Sequence, residues 1–207
     1  MQTDPISFLF TIGVFLMSVV IHEVSHGYAA YLLGDQTAKY QGRLTLNPLR
    51  HIDLFGSIIL PLILYFTTGF VFGWAKPVPY NPFNLRDQRW GELKVALAGP
   101  GSNIFIVLIG SLALRGMMAG NLLNGASLSI LSLIISVNLA LAVFNLIPVP
   151  PLDGSKILYA FLPYRLHLAM QKYERFGFIL VLMLAYFGSG LLFAVISWLF
   201  TLFTGMS

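Results

Sequence analysis

The sequence predicts an all-α polytopic membrane protein of about four to six membrane helices, with a re-entrant segment and a short β-hairpin or strand element. Three observations carry this. Of the 207 residues, 57% are hydrophobic and only 10% charged, at a mean hydropathy of +0.80, which is more apolar surface than one soluble core can enclose. Four apolar segments are long enough to span a bilayer: Ile6 to Leu33, Leu93 to Leu114, Ser127 to Ile147 and Phe176 to Phe203. The polar stretches between them, such as "GDQTAKYQGRLTLNPLRHID" and "GWAKPVPYNPFNLRDQRWGE", are too short to fold as soluble domains, so residues 1–207 read as a single integral membrane domain.

The first run has no Lys or Arg before it and continues unbroken into "SVVIHEVSHGYAAYLL", so it lacks the basic start and cleavage signature of a secretory signal and is expected to stay in the chain. In the polar stretch that follows, Arg43-Leu44-Thr45-Leu46-Asn47 alternates polar with apolar, the period of a short strand with an exposed edge. Leu54 to Phe72 carries Pro61 near its middle and Gly56 and Gly69 near its ends, which suits a kinked span or a hairpin that enters the membrane and returns. The C-terminal membrane helices lie within residues 164–205, where Gly188-Ser189-Gly190 is a point at which the long apolar run can break. A net charge of +4, scattered along the chain, suits basic loops on one membrane face and gives no footprint for nucleic acid.

Ionisable groups inside a spanning helix are costly and are functional by default. His22 and His26 stand four residues apart, so on a helix they stack on one face, with Glu23 rotated about 100° beside them. This HExxH spacing lets two neutral imidazoles hold zinc while the glutamate takes a proton from the metal's water. The chain has no cysteine, so a third protein ligand must be His, Asp or Glu. Asp35, His51, Asp53, Glu92, Asp153, His167 and Glu174 are the candidates. Asp153 stands out: in "FNLIPVPPLDGSKIL" it sits at the mouth of an apolar run, stiffened by Pro148, Pro150 and Pro151 and followed by Gly154. A helix N-cap is its structural alternative. Asn103 in "AGPGSN" fits either a substrate contact or a buried joint between two helices, where Gly99 and Gly101 allow close packing.

HEVSH on one membrane helix, "AGPGSN" at Ala98 to Asn103 on a second and "NLIPVPPLDG" at Asn145 to Gly154 on a third resemble, in this order, the site-2 protease family of intramembrane zinc metalloproteases. The resemblance covers about residues 15–160. It implies one zinc per chain held by His22, His26 and Asp153, Glu23 as the base, and Asn145 as a group that orients or polarises the substrate. It also implies a zinc endopeptidase that hydrolyses peptide bonds within or near the membrane segment of a single-span protein, in regulated intramembrane proteolysis. Many relatives carry a PDZ or CBS domain. No stretch here fits one, no helix precedes the HEVSH helix, and Leu54 to Phe72 reads as an addition, so substrate selection by such an appended domain is not expected.

Parity tests the resemblance. Asp153 reaches the histidines only if an even number of crossings separates them, which requires Leu54 to Phe72 to re-enter. That arrangement puts Lys39, Arg43, Arg50, Lys76, Arg86, Arg89, Lys156, Arg165, Lys172 and Arg175 on one face against Arg115 on the other. By the positive-inside rule, a multi-pass protein of the cell membrane follows, with its active site near the cytoplasmic face and its N-terminus outside. A metal or proton transporter would also use intramembrane His, Glu and Asp, but would tend to show two related halves, and none is evident. A non-catalytic scaffold would be expected to have lost a ligand or the base, and all are present.

Overall fold

The first helix is apolar on all sides rather than along one stripe, the pattern of a segment surrounded by lipid and other helices. In the computed structural model, which describes residues 5–59, 75–163 and 179–206 together with 63, 166 and 177, this is α1, Pro5–Leu32. A one-turn helix, α2, covers Thr37–Tyr40. Two 3-10 turns, Pro48–Arg50 and Pro82–Asn84, use one device: Asn47 and Asn81 each accept the backbone N–H two residues on at 3.1 Å, and the proline that follows fixes the turn. The bundle continues with α3, Gly91–Ala119, and α4, Gly125–Asn145, whose start is closed by reciprocal bonds between Asn124 and Ser127. The short α5, Asp153–Tyr159, precedes α6, Ile179–Phe187, and α7, Ser189–Thr204.

Three of these helices, α1, α3 and α4, are long and apolar enough to cross a membrane, and α6 with α7, bent by 69°, forms a fourth candidate if counted as one span. The expected four to six is thus reduced to three or four among the described residues. The bend falls at Gly188, the break point read from the sequence. No strand is found among the described residues, and the expected strand or hairpin at Arg43 to Asn47 is absent. There the alternation misleads because the cation points in: Arg43 is buried, while Leu46 is 54% exposed.

α3 packs along both α1 and α4, and α7 closes against α4 and α3. Val107, Leu114, Ile135 and Leu139 form the buried core between them, flanked by Leu199, Phe200 and Phe203 of α7. Gly110 admits Ile135, whose Cγ1 would stand 3.0 Å from a Cβ there. Lipid is as apolar as leucine, so close packing and interhelical hydrogen bonds, rather than the hydrophobic effect, must join such helices. Asn138 Nδ2 on α4 donates to Ser18 Oγ of α1 at 3.0 Å, and Asn103 Nδ2 on α3 donates to Asn138 Oδ1 at 2.8 Å. Phe8, Leu9, Phe105, Ile109 and Leu112 remain exposed around this bundle, as lipid contact requires.

The connection from α1 to α3 leaves and returns at the same end of the bundle. Arg86 N–H donates to Leu33 O and Lys76 N–H to His51 O, both at 2.8 Å. The two flanks of the segment read as re-entrant therefore meet. Leu54–Ile59 of that segment is a π-helical turn, while 60–62 and 64–74 lie outside the described residues, as do Arg165, Lys172 and Arg175. The opposite end of the bundle carries the α3–α4 turn and Arg115, whose Nη2 donates to Leu202 O at 2.9 Å.

Buried Asp35 ties this connection down. Its carboxylate accepts from Thr37 Oγ1 at 2.7 Å and from Asn81 N and Asn84 Nδ2, both at 2.8 Å. Burial alone pushes its pKa up, but the bonds from Thr37, Asn84 and Asn81 outweigh this and hold it below the usual carboxylate value. A lowered folded-state pKa gives stability that is present above the unfolded value of about 3.9 and lost as pH falls through the lowered one. Asp35→Ala is expected to cost on the order of 3 kcal/mol at pH 7. Thermal unfolding in detergent checks this: the gap between wild type and variant should narrow as pH drops below about 4.

Candidate metal centre

α1 sets its two imidazoles edge to face, with ring centroids 4.7 Å apart and planes at 85°. Each is held from behind by its Nδ1. His26 Nδ1 lies 2.7 Å from Val95 O, and a carbonyl only accepts, so Nδ1 carries the ring proton and Nε2 is left as a lone pair. His22 Nδ1 lies 2.6 Å from Asn103 Oδ1, whose amide nitrogen is committed to Asn138 Oδ1, so the same tautomer follows. Neighbouring groups that fix a ring in this way are what orient histidine as a metal ligand.

Asp153 arrives from the far end of the bundle's connectivity. After α4 the chain turns through Val149 and Leu152, joined by a Leu152 N–H to Val149 O bond of 2.9 Å, and starts α5 at Asp153. The N-cap is Leu152, so Asp153 lies in the first turn rather than capping it. Gly154 is needed for space: a Cβ there would collide with the carbonyl oxygens of Leu146 and Ile147, so glycine lets α5 seat against the end of α4. Asp153 Oδ2 is thereby placed 3.1 Å from both His22 Nε2 and His26 Nε2, which are 3.1 Å from each other. All three side chains are buried.

Two inward lone pairs and a carboxylate at these distances repel unless a proton or a cation sits among them. The separations match the roughly 3.3 Å edge of a tetrahedron with metal bonds of about 2.0–2.1 Å, and nitrogen and oxygen donors without sulfur suit zinc. Gly99 of α3 leaves room for the ion: a Cβ there would overlap His26 Nε2 and stand 2.6 Å from His22 Nε2. The residues present therefore fit one zinc. Glu23, beside His22 on α1, accepts a hydrogen bond from Val78 N–H on Oε2 at 2.9 Å.

The other residues singled out in the sequence are placed elsewhere. Asp35 is saturated, His51 Nε2 donates to Thr45 O at 2.9 Å, and Asp53 accepts Gly56 N–H at 2.6 Å. Glu92 stands in the first turn of α3, and His167 and Glu174 lie outside the described residues. Asn103 is fully buried behind His22, which makes it the joint between helices and an orienting group rather than a surface open to substrate. Asn145 Nδ2 turns back to Leu141 O of its own helix at 3.0 Å. The sequence marks Gly99 only as a site of close packing, and Val95 O, Asn138 and Val78 N–H were not anticipated from it. Nor was Lys156, whose Nζ lies 5.4 Å from the Tyr80 ring centre; burial lowers its pKa, but Tyr80, Asp153 and Glu23 outweigh this and raise it, so the ammonium stays charged. Gly99→Ala is expected to keep the fold, alanine being the better helix former, and to cut bound zinc well below one per chain. Metal analysis of the purified variant beside its melting curve measures both.

A family model described as "Peptidase family M50" matches residues 113–187. Among curated proteins, the chain is similar to several named "Putative zinc metalloprotease". YwhC of Bacillus subtilis is 40% identical over 174 residues, covering 82% of this chain and 76% of its own. Rip2 of Mycobacterium tuberculosis is 29% identical over 197 residues, 94% of this chain and 74% of its own. MJ0611 of Methanocaldococcus jannaschii is 33% identical over 99 residues, 47% of this chain and 50% of its own. No solved structure matches significantly. The His-His-Asp donor set and a relative sharing 40% identity over most of both chains lead to one conclusion: the chain belongs to peptidase family M50, the site-2 protease family.

Proposed function

We propose that the chain is an intramembrane zinc endopeptidase that cleaves single-span membrane proteins within or near their membrane segment, in regulated proteolysis. The observation that carries the reading is the meeting of His22, His26 and Asp153, with Glu23 beside them, inside a bundle of apolar helices. Zinc, when bound, lowers the pKa of water to about 7 and polarises a carbonyl. His22, His26 and Asp153 would hold it, with Asn103 and Val95 O keeping both rings turned inward. Glu23 takes the proton of the attacking water on its carboxylate and passes it to the nitrogen of the departing amine. A substrate helix hides its carbonyls in i to i−4 bonds, so it must unwind before attack. Asn145, at the end of α4, contributes a substrate contact in this reading once it leaves Leu141 O.

Orientation follows from charge. Lys39, Arg43, Arg50, Lys76, Arg86, Arg89 and Lys156 belong to the connections at the Asp153 end of the bundle, whereas Arg115 lies near the opposite end. This supports a cell-membrane protein with its site near the cytoplasmic face and its N-terminus outside.

Two outcomes test the proposal. Glu23→Gln keeps the side chain's shape but cannot accept the proton, so cleavage of a panel of single-span substrates should fall by about 10²- to 10⁴-fold with zinc retained. Turnover within tenfold of wild type, with zinc bound, would remove Glu23 from the base role. Because the chain has no cysteine, single cysteines at Gln41, Gln88 and Leu122 can be labelled in intact cells without background. An impermeant thiol reagent should reach Leu122→Cys and spare the other two, and the reverse pattern would invert the orientation.

A further inference from the structure

The base is held by a strap of main chain, and the strap is held by an arginine that has no acidic partner among the described residues. Ala75 to Tyr80, "AKPVPY", runs beside α1 without helix or strand. Its Val78 N–H donates to Glu23 Oε2 at 2.9 Å, and no other hydrogen bond to the Glu23 carboxylate is formed among the described residues. Pro77 and Pro79 on either side have no N–H and fix their own φ, so Val78 carries the one donor of this central stretch in a stiffened chain. Val78 also packs into the notch at Gly27, where a Cβ would come 2.5 Å from Val78 Cγ1 and 2.7 Å from Leu44 Cδ2.

Arg43 fastens the strap at its entry. One guanidinium nitrogen, Nη1, donates to Arg50 O, and the other, Nη2, donates to Lys76 O at 2.7 Å and Pro77 O at 3.2 Å. The fork thus ties both flanks of the apolar excursion between His51 and Lys76 together, beside the Lys76 N–H to His51 O bond of 2.8 Å. Arg43 is only 8% exposed, no carboxylate pairs with it among the described residues, and its Nε is buried without a partner. A buried cation stabilised only by carbonyl dipoles is a poor choice for stability alone. At the far end of the strap Asp35 receives Asn81 N–H at 2.8 Å.

We propose that Arg43 is a positioning residue for Glu23, acting through Lys76, Pro77 and the Val78 N–H to fix which carboxylate oxygen faces the attacking water. The assignment rests on the protease reading above, and it couples the excursion between His51 and Lys76 to the base. Lysine cannot replace the fork, because a point charge on a flexible stem cannot span three carbonyls in fixed directions.

The test compares wild type, Arg43→Ala and Arg43→Lys as purified full chains with a single-span substrate. Misplacement of a reacting group costs about 10²-fold. Arg43→Ala is therefore expected to lower kcat by about 10- to 100-fold with KM within about twofold and zinc unchanged, and Arg43→Lys to restore only part of it. A second readout needs no turnover. Gly27→Cys with Val78→Cys puts two thiols within disulfide reach in a chain that otherwise has none, and oxidative cross-linking should be fast with Arg43 and several-fold slower in both Arg43 variants. Wild-type kcat in Arg43→Ala, full rescue by lysine, or an unchanged cross-linking rate overturns the proposal. Inactivity of wild type towards every substrate would instead count against the protease reading, while cross-linking still decides whether Arg43 holds the strap.

Discussion

Two imidazoles buried in an apolar helix bundle must satisfy four ring nitrogens, and the fold is arranged around how they do so. Asn103 and Val95 O take one nitrogen from each ring, and the remaining pair faces Asp153. Each partner comes from a different part of the chain: α3 supplies the two acceptors, α5 the carboxylate, and α4 the amide of Asn138 that fixes which end of Asn103 faces the ring. Removing any one leaves a buried polar group unpaired, which costs about 1–3 kcal/mol. The polar chain that builds the site is therefore also much of what joins α1, α3 and α4 where lipid offers no hydrophobic drive.

A second constraint is spatial. Gly99 and Gly154 are small for opposite reasons: one keeps an empty place beside the histidine nitrogens, the other lets α5 press against the end of α4 so that Asp153 can reach it. Glu23 is treated differently from the ligands. Side chains aim the histidines and a helix start aims the aspartate, but the base is aimed by a backbone N–H from a proline-stiffened strap. A peptide N–H survives most substitutions, so the contact is robust to sequence change and depends on whatever holds the strap in place.

This difference explains what was legible in the sequence. The i, i+4 spacing of His22 and His26, the adjacent Glu23 and the proline-framed Asp153 are written in residue identity, and the structure brings the three donors together. The spans α1, α3 and α4 were legible from length and hydropathy, with ends shifted by a few residues. Val95 O and Val78 N–H could not be read, because every residue has a main chain and only the fold selects which one matters. Arg43 is where the sequence pattern misleads. The alternation rule assumes that charge faces outward, and here the guanidinium turns inward to three carbonyls, so a strand-like pattern is carried by a loop. Asn103 is ambiguous in sequence because an asparagine on a packed helix face serves either role equally well; in the structure it bonds to His22.

The central claim is that His22, His26 and Asp153 together hold a zinc ion inside the bundle. X-ray absorption at the zinc edge of the purified, zinc-loaded chain, wild type beside Asp153→Ala, tests it most directly. The expected result is two imidazole nitrogens at about 2.0–2.1 Å with oxygen donors completing a four-coordinate shell, and a rearranged oxygen shell with both imidazoles kept in the variant. A wild-type spectrum with one imidazole or none, or one that Asp153→Ala leaves unchanged, would contradict the account.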